Sequence, residues 1–90
     1  MTARETTITK AILTLLNRLD GAQAIELIIH ASVQTDMRNQ GDTAASLREF
    51  EGALRNCDQN GWVIGVAAKV TKQMKWSISD AGRAALMELA

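Results

Sequence analysis

Apolar residues near the amino terminus recur at intervals of three or four, which is the spacing of one face of an α-helix. The face consists of Ile8, Ile12, Leu15, Leu16 and Leu19. This period predicts an amphipathic first helix. Thr6 or Thr7 can cap its start, and Asp20-Gly21 supplies a stop because glycine accepts the backbone conformation that ends many helices.

After Gly21, apolar residues surround most of a second helix. They are Ala24, Ile25, Leu27, Ile28, Ile29, Ala31 and Val33. A helix that is apolar around most of its circumference is expected to be buried on several sides. The polar segment 36–45 shows no period, and we expect it to form a surface loop of about ten residues.

A third helix is predicted from about Ser46 to Asn60. Ser46 and Glu49 have the spacing of a capping box, in which the serine oxygen accepts a backbone N–H and the glutamate reaches back. The apolar face of this segment consists of Leu47, Phe50, Leu54 and Cys57. Gly61 marks the end, since glycine tolerates the left-handed conformation there.

Two strands and a last helix complete the pattern. Apolar residues alternate with their neighbours in two segments, first Trp62, Ile64 and Val66, then Met74, Trp76 and Ile78. The alternation predicts a hairpin with a long, mobile tip over 68–73, and it places the two tryptophans as a core pair. Ser79 can cap the last helix. The good helix formers of that helix are Ala81, Ala84, Ala85, Leu86, Met87 and Leu89.

Length and composition indicate one small globular domain, 1–90. Hydrophobic residues make up 47% of the 90 and charged residues 22%, which argues against disorder or a collagen-like repeat. Apolar runs fall far short of the roughly 20 residues that cross a bilayer. The first residues lack the features of a signal peptide, so we expect a cytoplasmic protein. The single Cys57 cannot form an internal disulfide and is expected to be a core thiol.

The charges cancel overall but are unevenly distributed. Ten basic and ten acidic residues give a net charge of zero, which removes the class of strongly basic nucleic-acid-binding domains. Segment 61–76, however, contains Lys69, Lys72 and Lys75 and no acidic residue. An anionic partner would therefore meet a local positive feature.

The residues of common catalytic and metal sites do not occur in the necessary patterns. The sequence has no glycine-rich phosphate loop, no paired histidines, no CxxC and no nucleophile elbow, so we expect no enzymatic activity, no metal and no cofactor. His30 lies in an apolar segment, and we expect it to be partly buried and hydrogen-bonded. Asp80 and Arg83 are expected to form an ion pair across one helical turn.

The order helix, helix, helix, hairpin, helix resembles that of winged helix domains, most closely from about Leu47 to Leu86. Residues 53–63, ALRNCDQNGWV, look like the end of a recognition helix that passes through a glycine into the first wing strand. Residues 75–86, KWSISDAGRAAL, are similar to the second wing strand and following helix of many bacterial winged helix regulators. The resemblance implies an α+β, mostly helical fold and a regulator of bacterial or phage type that binds double-stranded DNA.

One stripe of the third helix carries candidate DNA-binding side chains. At 100° per residue, the stripe lies about 150° from the apolar face. Its members are Arg48, Gly52, Arg55 and Gln59. In a winged helix this face enters the major groove, where arginine matches guanine O6 and N7 or grips a phosphate, glutamine pairs with adenine and glycine permits close approach. The alternative is an ordinary solvated face.

The three lysines of the hairpin also allow two interpretations. Lys69, Lys72 and Lys75 fit a wing that lies along the phosphate backbone, where each contact adds salt-dependent affinity. Alternatively, they keep the hairpin soluble and discourage edge pairing.

Two functions therefore remain open. One is a DNA-binding regulator that acts as a homodimer on two half-sites, because one small domain makes few phosphate contacts. Its candidate dimer surface consists of Leu86, Met87 and Leu89 of the last helix. The other function is a winged helix module that binds a protein partner. The neutral total charge supports it, as do three acidic residues of the third helix that would repel phosphates, Glu49, Glu51 and Asp58.

Overall fold

The computed structural model describes residues 2–89 and shows an α+β fold in which helices predominate. In chain order, the elements are α1 (Ala3–Arg18), β1 (Ala24–Ile25), α2 (Glu26–Asn39), α3 (Leu47–Gln59), β2 (Val63–Ala67), β3 (Met74–Ile78) and α4 (Asp80–Leu89). The predicted order of helices and hairpin is confirmed, with the short strand β1 in addition. Within the described residues, no helix combines the length and the apolar character needed to span a membrane.

The first helix begins earlier than predicted. Its cap is Thr2, whose hydroxyl accepts from the backbone N–H of Glu5 at 3.1 Å. The expectation that Thr6 or Thr7 caps the helix is wrong, because both lie inside its first turns and their hydroxyls donate back to carbonyls one turn earlier. The predicted end is correct, and Gly21 follows it with a φ of +87°.

The second helix is less buried than its composition suggests. Leu27 and Ile28 are 75% and 55% exposed, so the prediction of burial on several sides is wrong. The residues before Glu26 form β1 instead of helix. A single buried stripe runs along α2 through Ile29, Val33 and Met37. Because Met37 continues this stripe by one turn, α2 extends to Asn39 and the predicted loop over 36–45 shrinks to 40–46.

The third helix matches its prediction closely. Ser46 Oγ accepts from the Glu49 N–H at 3.2 Å, and a Glu49 carboxylate oxygen accepts from the Ser46 N–H at 3.1 Å, which completes the capping box. The helix ends at Gln59 with Asn60 as its C-cap, and Gly61 follows with a φ of +72°. Leu47 is 58% exposed and does not belong to the buried face. The buried face consists of Phe50, Ala53, Leu54 and Cys57.

The three strands form an antiparallel sheet in the order β1-β3-β2. On β2 the inward face is the opposite of the one predicted, because Val63 is buried while Ile64 and Val66 are about half exposed. Both faces of this strand carry apolar residues, so alternation alone does not show which one is buried. Gly65 lies opposite Trp76, and an added Cβ there would come within 2.7 Å of the Trp76 ring.

The expected pair of core tryptophans is only partly realised. Trp76 is a core residue, with 7% of its surface exposed. Trp62 precedes β2 and is partly buried against the core. Its carbonyl oxygen accepts from the Ser79 N–H, and the Ser79 hydroxyl accepts from the Gly82 N–H at 3.0 Å. Ser79 therefore caps α4, as predicted.

Helix α1 is central to the core, because it packs against α2, α3, α4 and β3. The prediction for His30 is confirmed. Its ring stacks on Phe50 with 4.8 Å between centroids, and its Nε2 lies 3.1 Å from the Ala45 carbonyl oxygen. Cys57 is fully buried, and desolvation raises the pKa of its thiol to about 12. It is therefore a core thiol, as expected.

Candidate nucleic-acid interface

The outward stripe of α3 forms one wall of a groove between α3 and the start of α1. The four members of the stripe, Arg48, Gly52, Arg55 and Gln59, are exposed. The groove has a volume of about 500 Å³, and all four residues of the stripe line it. Buried Ile8 and Ala53 contribute to its lining. The capping box sets the start of α3, and the helical period then turns these polar side chains away from the core.

The two guanidinium groups of the stripe are free to bind a ligand. The ion pairs within residues 2–89 use Arg4, Arg18 and Arg83, and they include neither Arg48 nor Arg55. Gly52 adds room for close approach, because a Cβ built on it would meet no atom within 4 Å. A flat ligand edge can therefore approach the helix backbone between two unpaired cations.

An arginine that the sequence patterns did not single out joins the two walls of the groove. Arg4 Nε donates to a Glu49 carboxylate oxygen at 2.8 Å. Its other nitrogens donate to the carbonyl oxygens of Thr43 at 2.8 Å and Ala44 at 3.0 Å. Arg4 thus links the first turn of α1 to the loop before α3. These partners lie about 40 residues away along the chain, so spacing could not indicate them.

This contact also changes the electrostatics of Glu49. The hydrogen bond from Arg4, with a second from the Ser46 N–H, lowers the pKa of Glu49 from its ordinary 4.5 to about 2. The same contact raises the pKa of Arg4. Glu49 therefore remains an anion at neutral pH, but its charge is paired. Of the three acidic residues of α3, it opposes phosphate binding least.

The other two acidic residues form a negative strip on the opposite flank of α3. Glu51 and Asp58 line a second groove, of about 230 Å³, together with Glu26 at the start of α2 and the ring of Trp76. Trp76 Nε1 donates to Glu26 Oε1 at 3.2 Å, which positions that carboxylate. Arg55 borders both grooves. We call Glu26, Glu51 and Asp58 the acidic strip.

The hairpin lysines do not line the α1–α3 groove. Lys69 and Lys72 lie on the tip, which is closed by a hydrogen bond from the Ala68 N–H to the Gln73 carbonyl at 2.9 Å. Lys72 has a φ of +57°. Lys75 pairs with Val66 in the register of β2 and β3. Because neighbouring residues on a strand face opposite sides and Trp76 faces α3, Lys75 lies on the far face of the sheet.

The carboxy-terminal helix exposes little of the predicted dimer surface. Leu86 and Leu89 are partly buried against the core, and Met87 is 81% exposed. Arg83 donates to Asp80 at 3.1 Å, which confirms the ion pair expected in the first turn of this helix.

Two solved structures share the fold of this chain. The first is described as a transcriptional regulator from Clostridium thermocellum; it is 14% identical, covers 90% of this chain and 74% of its own, and superimposes with a TM-score of 0.74. The second is described as a putative transcriptional regulator from Thermoplasma acidophilum, with 21% identity, coverage of 93% and 75%, and a TM-score of 0.65. No protein-family model and no curated protein matches the sequence. The chain therefore has the fold of these two proteins.

Proposed function

We propose that this chain is a single winged helix domain that binds double-stranded DNA as a transcriptional regulator. In this proposal α3 is the recognition helix, and the hairpin of β2 and β3 is the wing. The observation that carries it is the pair of exposed, unpaired guanidinium groups, Arg48 and Arg55, on one groove wall. The fold shared with two described regulators supports it.

The stripe has the chemistry of base readout. Arg48 and Arg55 can each donate two hydrogen bonds to a guanine edge, and Gln59 can pair with adenine. Each such pair discriminates against the wrong base by about 1–3 kcal/mol. Gly52 lies between the two arginines. Because it has no side chain, the base edges of the DNA can approach the backbone of α3 at this point.

The acidic strip determines from which side a duplex can approach. Phosphates that pass between α3 and the sheet would meet Glu51 and Asp58. Phosphates that pass on the α1 side meet Arg48, the ion-paired Glu49 and a single exposed carboxylate, Glu5. We therefore place the duplex toward α1. Lys69 and Lys72 would then contact the backbone from the wing tip, and Lys75 would contribute charge from the far face of the sheet.

Two copies acting on two half-sites would raise the affinity of so small a domain. On α4, the sequence-based candidate surface, Met87 would be the centre of such a contact, since Leu86 and Leu89 are partly occupied by the core.

A protein-interaction role is the second candidate, and the acidic strip favours it. Glu26, Glu51 and Asp58 surround a groove whose wall is the Trp76 ring. This surface suits a basic peptide, not a nucleic acid. It would make α3 a protein-binding helix within the same fold.

A salt series of binding to random duplex DNA separates the two functions. At low salt we expect a dissociation constant well below millimolar. The logarithm of the binding constant should fall steeply and linearly with the logarithm of the salt concentration. On random DNA, where both guanidinium groups would meet phosphates instead of a specific base, replacing Arg48→Ala together with Arg55→Ala should reduce the slope by about two units and leave the melting temperature nearly unchanged. The matched control is Lys10→Ala with Arg38→Ala, which removes the same charge from exposed positions outside the groove. A dissociation constant in the millimolar range, or an equal loss of binding in both double variants, would refute binding of the major groove by the stripe.

A further inference from the structure

One side chain, Arg4, joins the first turn of α1 to the start of α3. Its Nε donates to Glu49 Oε2 at 2.8 Å, and its Nη1 donates to the Thr43 carbonyl oxygen at 2.8 Å. Its Nη2 donates both to the Ala44 carbonyl oxygen, at 3.0 Å, and to Glu49 Oε1, at 3.3 Å. A guanidinium has five N–H donors. Four hydrogen bonds within the protein therefore leave Arg4 little capacity for a ligand.

The segment before α3 is held from its other side by α2. Ala45 is 1% exposed, and its carbonyl oxygen accepts from the side-chain amide of Gln34 at 3.2 Å. The next residue, Ser46, is the N-cap of α3. Arg4 and α2 together thus fix the residues from which α3 starts. They also fix the position of Arg48, the first arginine of the stripe.

The charge of the α1–α3 groove depends on the pairing of Glu49. Among residues 2–89, the charged side chains that line the groove have a balance of +1, from Arg4, Arg48, Arg55, Glu5 and Glu49. A carboxylate oxygen of Glu49 also accepts from the Ser46 N–H at 3.1 Å. This hydrogen bond would keep the carboxylate in the groove if Arg4, its ion-pair partner, were removed. The freed carboxylate would then repel a phosphate that Arg48 attracts.

We propose that Arg4 is a positioning residue of the α1–α3 groove, which holds Glu49 and the start of α3 in place without contacting the duplex itself. This inference rests on the proposed function. With Arg4 present, a phosphate on the α1 side meets Arg48 beside a carboxylate whose charge is already compensated. Without Arg4, the same phosphate meets a cation and a free anion on adjacent residues, so that attraction and repulsion oppose each other.

Replacing Arg4 alone and together with Glu49 tests this role. In Arg4→Gln the carboxylate of Glu49 is unpaired, and we expect binding to random duplex DNA at low salt to weaken roughly fivefold or more. Adding Glu49→Gln removes that carboxylate, while glutamine can still complete the capping box with Ser46. The double variant should therefore recover the affinity of the parent. A role of Arg4 that lay only in its contacts to Thr43 and Ala44 would not be rescued in this way.

The salt dependence of binding shows whether Arg4 contacts a phosphate. Each phosphate contact contributes about 0.9 to the slope of the logarithm of the binding constant against the logarithm of the salt concentration. The double variant keeps Arg48 and Arg55, so we expect it to have the slope of the parent. A slope lower by about one unit would overturn the proposal and assign Arg4 a direct phosphate contact.

Arg83→Gln is the matched control. Arg83 also pairs with a carboxylate, that of Asp80 at 3.1 Å, but it lies on α4 and does not line the groove. Its replacement removes the same charge and also frees one carboxylate. Because screening weakens the effect of charges outside the groove, we expect a clearly smaller loss of affinity than in Arg4→Gln. An equal loss would show that only the net charge matters, and it would overturn the proposal.

Two further results would also overturn it. One is an Arg4→Gln protein that binds DNA as tightly as the parent, and the other is a double variant that stays as weak as Arg4→Gln. Melting curves verify that each variant folds. Glu49→Gln alone, which keeps Arg4, should bind at least as tightly as the parent, and weaker binding would contradict the repulsion assigned to Glu49. A parent protein that does not bind DNA refutes the proposed function itself, and is thus distinguishable from failure of the Arg4 variants.

Discussion

Two glycines in helices should respond in opposite ways to the same substitution. Gly82 lies in the first turn of α4 and is buried, whereas Gly52 lies in the middle of α3 and is exposed. In a helix interior alanine is favoured over glycine by about 1 kcal/mol. Helix propensity alone therefore predicts that both Gly82→Ala and Gly52→Ala stabilise the fold.

The surroundings reverse this expectation at Gly82. An added Cβ would overlap the carbonyl oxygen of Trp62 and lie 2.8 Å from Ile78 Cγ1. The carbonyl cannot withdraw freely, because it accepts the Ser79 N–H at 3.0 Å at the junction of hairpin and α4. Overpacking against a fixed backbone costs about 1–3 kcal/mol, and losing that hydrogen bond costs about 1 kcal/mol more. After the gain in propensity, we expect Gly82→Ala to destabilise the protein by about 1–3 kcal/mol.

Thermal unfolding followed by circular dichroism tests both substitutions. For a domain of this size 1 kcal/mol shifts the melting temperature by roughly 4–8 °C. Gly82→Ala should therefore lower the melting temperature by about 4–24 °C, and Gly52→Ala should raise it by a few degrees, since nothing lies within 4 Å of the new methyl group. A Gly82→Ala protein as stable as the parent would refute the close approach of α4 to the hairpin.

Two further predictions concern titratable groups. Because the folded protein lowers the pKa of Glu49 from 4.5 to about 2, its ionisation stabilises the fold above pH 4.5, and this contribution is lost as the pH falls toward 2. Melting temperatures of Glu49→Gln should therefore depend less on pH across that window than those of the parent, and parallel curves would contradict the Arg4 contact. Burial raises the pKa of Cys57 to about 12, so a thiol reagent at pH 8 should label it slowly in the native protein and at once in denaturant. Equally fast labelling in both states would show that the thiol is not in the core.

The elements that the sequence predicted well are those with local signals. The bounds of α3 follow from Ser46, Glu49 and Gly61. These residues cap the two ends of the helix through contacts that reach only a few residues along the chain. The hairpin follows from alternation, and Ser79 marks the start of α4. Such signals require no knowledge of tertiary structure, because their hydrogen bonds close within one helical turn.

The elements that the sequence missed depend on distant partners. β1 has two residues and exists because Ala24 and Ile25 pair with β3, which lies about 50 residues later in the chain. Leu27 and Ile28, which the apolar pattern placed in a helix buried on several sides, lie in α2 and are exposed. The same reasoning applies to the site. Helical spacing indicated the stripe of Arg48 and Arg55, but no pattern could indicate that Arg4 closes the groove beside them.

The distribution of charge matters more to a polyanion than the net charge of zero. At physiological salt, charges farther apart than about 8 Å are largely screened, so a phosphate responds to the nearest side chains. On the α1 side of α3 these are Arg48, a Glu49 already paired with Arg4, and one exposed carboxylate, Glu5. On the sheet side they are Glu51 and Asp58. The two flanks of one helix thus present opposite fields within a neutral protein. The duplex that we propose as ligand would therefore approach from the α1 side, and a basic protein partner would bind the other flank.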